Sequence, residues 1–375
     1  MTYFYLSHIV GLAILSGREE HTIIPLCVLA ISALILLVRL RKKEVAACPL
    51  RLGPIAIVIG QCGLSAVLLV VAGLKYYSLG IPWFAADPDI ARMTFVSEGG
   101  FPVKCLITIG PFVILLHMLY VRMCHGLLKW MNIVTCLLVC FEYVLLGSKS
   151  QMAMIVFLFM WSGYAMGEIG NTLKIIGYGL VIVPAIIVNF ILVLGAAATE
   201  AIGQVLARAS YLQAQGILIA FADPDLGPSD FWVSITNIVE RLKGHVPYSV
   251  GLSNIVTAKY YQRDVYDTPF TLTITAYSDF YILAGLLGCA FVVVLVPYTS
   301  HRLIRAAFSS GRPTLRVFYL GLFHPLINCI FKGGVAGVVW GEVMPYVVFA
   351  SAYTVVSCLV WKHAQADCPT MNVEA

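Results

Sequence analysis

The sequence predicts an all-α integral membrane protein: a bundle of about ten transmembrane helices with one large helical external loop. Three observations carry that expectation. Only 11% of the 375 residues are charged and 60% are hydrophobic, against about 25% charged in an average soluble domain, and the mean hydropathy is +0.90. Apolar runs long enough to cross a bilayer recur along the chain, most clearly at 22–38, 53–73, 101–121, 175–197 and 276–298. The cations of the short loops also segregate to one side of the predicted spans. The net charge of +5 reflects these loop cations and gives no argument for a nucleic-acid partner.

The predicted spans are 3–16, 22–40, 53–73, 101–121, 130–147, 151–167, 173–197, 274–299, 315–331 and 344–362. The stretch "MTYFYLSHIVGLAILSG" has no basic residue ahead of its apolar run, so it reads as a first span and not as a cleaved leader. "RLRKK" at 39–43 with Arg51 follows the second span, Arg122 and Lys129 lie between the fourth and fifth, and Arg302, Arg305, Arg312 and Arg316 lie between the eighth and ninth. All three loops fall on one side, which the positive-inside rule makes cytoplasmic, together with both termini. Two segments, 74–100 and 198–272, are then external.

The longer external segment is patterned. Gln204, Arg208, Tyr211 and Gln215 recur at helical spacing. "ADPDLGPSD" is a turn of Pro, Gly and Asp. A second helix is expected from Ser229 as N-cap, with Phe231, Ile235, Ile238 and Leu242 as its apolar side and Gly244 as its stop. Two such amphipathic helices would lie on the outer membrane surface, forming a lid over the bundle.

The eleven cysteines do not form a disulfide framework. Cys27, Cys62, Cys136, Cys140, Cys289, Cys329 and Cys358 sit in apolar runs, where cysteine acts as a small hydrophobe. No CxxC pair suggests zinc, and GxxxxGK[ST], GxSxG and HExxH are absent. The "ADPD" carboxylates belong to a Pro turn and read as structural.

Cations on the external side are the first candidates for chemistry, because guanidinium suits bidentate phosphate recognition. Arg208 lies on a polar helix stripe with no acid three or four residues away. Arg241 and Lys243 lie in "ERLKGHVPYSVG" beside His245, a residue that titrates near neutrality. Arg263 and Lys332 are further candidates, and Tyr211, Tyr248 and Tyr277 offer rings to a sugar. Asp279 enters the membrane in "TAYSDFYILAGLLG", where a carboxylate is either satisfied or functional. Glu142, inside "CLLVCFEYVLLG", reads first as an interhelical hydrogen-bonding residue.

Five stretches together resemble the O-antigen polymerase family, the oligosaccharide repeat unit polymerases: "IARMTFVSEGG" at 90–100, "LLGSKS" at 145–150, "GHVPYSVGLSNIVTAKYYQRD" at 244–264, "TAYSDFYILAGLLG" at 275–288 and "IFKGG" at 330–334. They keep the family's order and spacing from about residue 74 onward. The chain departs from the family pattern at Thr275, where glutamate is frequent, at Asp279 and Tyr281, where Asn and Gly are frequent, and at Lys332, where Arg is usual. The resemblance implies an enzyme of the bacterial inner membrane that works on its periplasmic side. Such an enzyme moves a growing glycan from one undecaprenyl diphosphate to the sugar of another lipid-linked repeat unit, with no cofactor and no metal. It implies Arg208 and Arg241 on the diphosphate, with Lys243 and Arg263 as second choices. It also implies His245, then Asp279, as general base, Tyr211, Tyr248, Tyr277 and Lys332 along the substrate, and a chain-length regulator as partner.

Two other functions fit the same layout. An O-antigen ligase shares the architecture and the arginine chemistry. A flippase or other transporter of lipid-linked sugars needs no catalytic group, and it is expected to show internal repeats, broken helices and charges near mid-membrane.

Overall fold

The computed structural model is all-helical, with no strand among the described residues. These are residues 8–13, 23–41, 48–86, 88–146, 161–166, 213–243, 251–265, 274–323 and 339–366, plus isolated positions between them. Four helices, Ile55–Phe84, Leu106–Met123, Gly126–Leu145 and Ala276–Ser309, are long and apolar enough to cross a bilayer, and the shorter Ile23–Ile35 and Met344–Val360 are apolar as well. The predicted span 315–331 is not one helix, because a short helix Pro313–Gly321 ends inside it. The chain divides into two compact units, one of Met1–Glu44, Ile202–Ile304 and Leu322–Met344, the other of Val45–Ala201, Arg305–Gly321 and Pro345–Ala375.

The first unit holds α1 (Ile23–Arg41), α6 (Gln213–Ala222), α7 (Pro228–Leu242), α8 (Leu252–Tyr261) and α9 (Ala276–Ser309), whose last residues, 305–309, belong to the second. Helix α6 serves two cores. Ala214, Ile217 and Phe221 pack with Leu29, Tyr277, Val292 and Val296, while Ile219 and Ala220 pack with Phe231, Leu252, Val256, Ile274 and Ile282.

The apolar side of α7 is therefore not free to lie on a membrane as the sequence pattern suggests. Phe231 and Ile238 are buried within the unit, and Trp232, Val233 and Val239 form the exposed side. The start of α7 also differs from expectation. Gly227, not Ser229, sits at the cap: its N–H donates to Asp230 Oδ2 at 3.0 Å and its carbonyl accepts the Asp230 N–H at 3.0 Å. The "ADPD" turn is structural as expected, with the Asp225 N–H donating to Asp223 Oδ1 at 2.9 Å. Helix α8 starts with the Gly251 N–H on Asn254 Oδ1 at 3.1 Å. It ends at Gln262 in the left-handed region (φ 51°), where the Arg263 N–H reaches back to the Ala258 carbonyl at 2.9 Å.

Helix α9 is not one rod. Ala284 and Gly285 leave helical geometry (φ −145°, ψ 19° and φ 60°, ψ −144°), and the segment before them folds back on the segment after. Cys289 Sγ lies 3.5 Å from the Tyr277 carbonyl, whereas twelve residues of straight helix span about 18 Å. Backbone approaches backbone so closely that a Cβ on Gly288 would stand 1.9 Å from the Phe280 carbonyl oxygen.

The second unit is built on α2 (Ile55–Leu79), α3 (Pro88–Glu98), α4 (Gly100–Met123), α5 (Gly126–Leu145), α10 (Pro313–Gly321) and α11 (Met344–Ala366). Helices α2, α4 and α5 pack pairwise, and Phe112, Ile114, Leu116 and Val139 are fully or almost fully buried among them. Tyr76 donates to the main-chain carbonyl of Glu142 at 2.6 Å. Among the described residues, the interhelical bond expected at Glu142 is thus made by its backbone, and its Oε2 has no hydrogen-bond partner. Glu142 Oε1 lies against Gly73, 3.6 Å from the position of a Cβ there.

Arg316 is expected among the exposed topology-setting cations, yet it is 1% exposed. Its guanidinium donates to the carbonyls of Ala307 (3.3 Å), Ala165 (2.7 Å), Ser310 (2.7 Å) and Cys48 and covers the Phe308 ring at 5.4 Å. Two of these carbonyls belong to the end of α9 and the turn after it, so the side chain satisfies acceptors a helix end leaves open.

Candidate functional site

The candidate site in the first unit is the start of α9. Thr275 and Ser278 cap the helix reciprocally: the Ser278 N–H faces Thr275 Oγ1 at 3.3 Å and the Thr275 N–H faces Ser278 Oγ at 3.4 Å. One residue on, Asp279 is 1% exposed, and its Oδ2 accepts the Val335 N–H at 2.5 Å. A carboxylate in a first helical turn is favoured by the helix dipole, and here it also fixes a main-chain position 56 residues away.

Tyr277, proposed from sequence to stack on a sugar, is instead a core residue. It is 1% exposed, and its hydroxyl lies 2.5 Å from Ser32 Oγ on α1. The neighbouring ring of Tyr281 stacks on Phe221 with centroids 4.1 Å apart.

The same unit carries the described cations of 198–272. Lys243, at the end of α7, is exposed and pairs with Glu240 at 2.9 Å. Arg263 is exposed just beyond α8. Lys259 bridges Asp230 (2.9 Å) and the Asp225 carbonyl (2.8 Å), joining α8 to the start of α7. Arg241 belongs to α7, with its side chain outside the description. Arg208, Tyr211, His245, Tyr248 and Lys332 lie outside the described residues. Among the described residues no group of three His, Cys, Asp or Glu side chains is placed to hold a metal ion.

The second unit contains a polar cluster that the sequence reading missed. Ser65 of α2, His117 of α4 and Asn132 of α5 are 2%, 0% and 0% exposed. Ser65 Oγ is 2.8 Å from His117 Nε2, and His117 Nδ1 is 2.7 Å from Asn132 Oδ1. Each residue alone is an ordinary polar interruption of an apolar run, and only the packing of three helices joins them. A histidine inside the span 101–121 was the one signal available.

Nearby, a cavity of about 670 Å³ is lined by α2, α4 and α11, almost wholly by apolar side chains, with Gln61, Tyr353 and Ser357 as its polar points. The chain matches no family model, no curated protein and no solved structure.

Proposed function

We propose that the protein is a membrane glycosyltransferase of the O-antigen polymerase type. It joins undecaprenyl-diphosphate-linked oligosaccharides at the periplasmic side of the bacterial inner membrane. One observation supports this proposal: described residues of three stretches that resemble the family, 244–264, 275–288 and 330–334, pack in the first unit, Ile330 of the last with Tyr277 of the second. Leu252, Ile255 and Val256 of the first stretch share a core with Ile282 of the second. Asp279 of the second holds the N–H of Val335, next to the third.

In this mechanism Asp279 is a positioning residue, because its Oδ2 holds a main-chain N–H. Proton abstraction from the acceptor hydroxyl then falls to His245. The diphosphate leaving group needs cations, and Arg208 and Arg241 supply them, with Arg263 and Lys243 behind. Lys243 is the weaker of these two, since Glu240 competes for its ammonium at 2.9 Å. The test is elongation by the purified protein in detergent, given a lipid-diphosphate-linked oligosaccharide and read as a glycan ladder. Longer products are expected, and a substrate recovered unchanged overturns the proposal. Free lipid-linked polymer accumulating on gene deletion would assign the ligase activity instead.

A second function has its own support. A broken helix carrying a buried carboxylate, as in α9 with Asp279, is a hallmark of transporters. Vesicles reconstituted with the protein distinguish the two: a transporter moves lipid-linked sugar between leaflets without lengthening it.

A further inference from the structure

We propose that Ser65, His117 and Asn132 form a buried proton-binding site, in which His117 takes up a proton with no rearrangement beyond rotation of one hydroxyl. The site does not rest on the polymerase reading.

The hydrogen bonds define the neutral state. Asn132 Nδ2 donates to the Leu128 carbonyl at 2.7 Å, which leaves Oδ1 facing His117 as an acceptor. Cys62 Sγ, 4.0 Å from the same oxygen, adds a weak donor. His117 Nδ1 must therefore carry a hydrogen, and in the neutral ring Nε2 is a bare acceptor. Ser65 Oγ–H satisfies it at 2.8 Å.

The charged state is satisfied by the same atoms. Ser65 Oγ also lies 2.9 Å from the Gln61 carbonyl, one helical turn earlier on α2. When a proton arrives at Nε2, the serine hydroxyl turns its hydrogen to Gln61 O and accepts the new N–H on its lone pair. One proton enters, one O–H changes acceptor, and every donor in the cluster keeps a partner. Without this second acceptor the cation would leave a buried donor unsatisfied.

Among the described residues, the titratable side chains on the helices that hold the cluster include Cys62 of α2, 4.0 Å from Asn132 Oδ1, and Cys136 of α5, whose Sγ meets the Ile114 carbonyl of α4, with Tyr120, Cys124 and Tyr353 grouped around Cys62. All of these are neutral side chains at physiological pH, so among them no fixed charge sets the state of the imidazole. Burial also separates this arrangement from a nucleophilic triad. Ser65 and His117 are enclosed on every side, and Ser65 does not line the neighbouring cavity.

The test uses the full chain, labelled with ¹⁵N-histidine and reconstituted in lipid, with the His117 signals assigned by difference from His117→Gln. The expected spectrum at alkaline pH is a neutral ring protonated at Nδ1, passing to a doubly protonated ring on acidification while the protein stays folded. Ser65→Ala removes the acceptor of the charged state and is expected to weaken proton affinity about tenfold, because the bond to the cation is the stronger one. A neutral ring protonated at Nε2 overturns the proposal. So does a His117 that stays neutral until the fold is lost, or a titration that Ser65→Ala does not move.

Discussion

Cys289 Sγ lies 3.5 Å from the carbonyl oxygen of Tyr277, twelve residues earlier in the chain. That separation turns an apparent 34-residue membrane helix into a short arm, 276–283, folded against a longer one, 286–309. Two glycines permit it. Gly285 adopts φ 60°, ψ −144°, close to a region only glycine populates well, and Gly288 lets two backbones meet. Gly288→Ala is expected to lose most folded protein, because the clash is with main chain and cannot be relieved by a side-chain rotation. Gly285→Ala is expected to cost about 1–3 kcal/mol. Gly60→Ala on α2, where nothing lies within 4 Å of the added methyl, is expected to be neutral or slightly stabilising. Thermal unfolding in detergent measures all three, and equal midpoints for Gly288→Ala and Gly60→Ala would rule out the folded-back arm.

Asp279 offers a sharper separation of roles. Asparagine keeps an acceptor oxygen for the Val335 N–H, whereas alanine removes it and leaves that donor unpaired at a cost of about 1–3 kcal/mol. A positioning role predicts that Asp279→Asn retains the glycan ladder and Asp279→Ala loses it. A general base would lose activity in both. Complementation of a deletion strain, scored with protein abundance, distinguishes these outcomes.

Arg316 makes a prediction about residue type. Its fork reaches four carbonyls from three separate chain segments, a geometry that lysine's single ammonium cannot reproduce. Arg316→Lys is expected to destabilise clearly, and Arg316→Met by more than about 3 kcal/mol, since several buried acceptors are then left open. If Arg316→Lys melts with the wild type, the guanidinium is not acting as a fork.

How far these features were legible in sequence depends on their range. The apolar runs at 53–73, 101–121 and 130–147 and the "ADPD" turn follow from composition and local chemistry, and the structure keeps them as helices and turn. The fold-back at 284–285 is hidden inside the apolar run "YILAGLLGCAFVVVLV", because glycine is frequent in membrane helices and does not by itself mark a break. Arg316 looks like any loop cation until its carbonyl partners, up to 268 residues away, are in place. Helix α7 misled for a related reason. Its apolar periodicity is real, but periodicity does not say whether the covering partner is lipid or, as here, Leu252 and Val256 of α8.

Two lysines of the segment 198–272 test which ion pairs matter. Lys259 bridges Asp230 and the Asp225 carbonyl across two helices, and Asp230 is only 12% exposed. Lys243 meets Glu240 within one helix, with both side chains well exposed (54% and 39%). Exposed pairs at i,i+3 contribute only a few tenths of a kcal/mol. Lys243→Met is thus expected to leave stability unchanged, while Lys259→Met costs about 1 kcal/mol by freeing the start of α7. Asp230→Ala removes both the bridge and the cap on Gly227, and is expected to cost about 1–2 kcal/mol. Hydrogen exchange at the amides of Gly227 and residues 229–232 reads these changes directly: faster exchange in Lys259→Met and Asp230→Ala with no change in Lys243→Met is the expected pattern. Equal acceleration in both lysine variants would show that the bridge is no more than a surface contact.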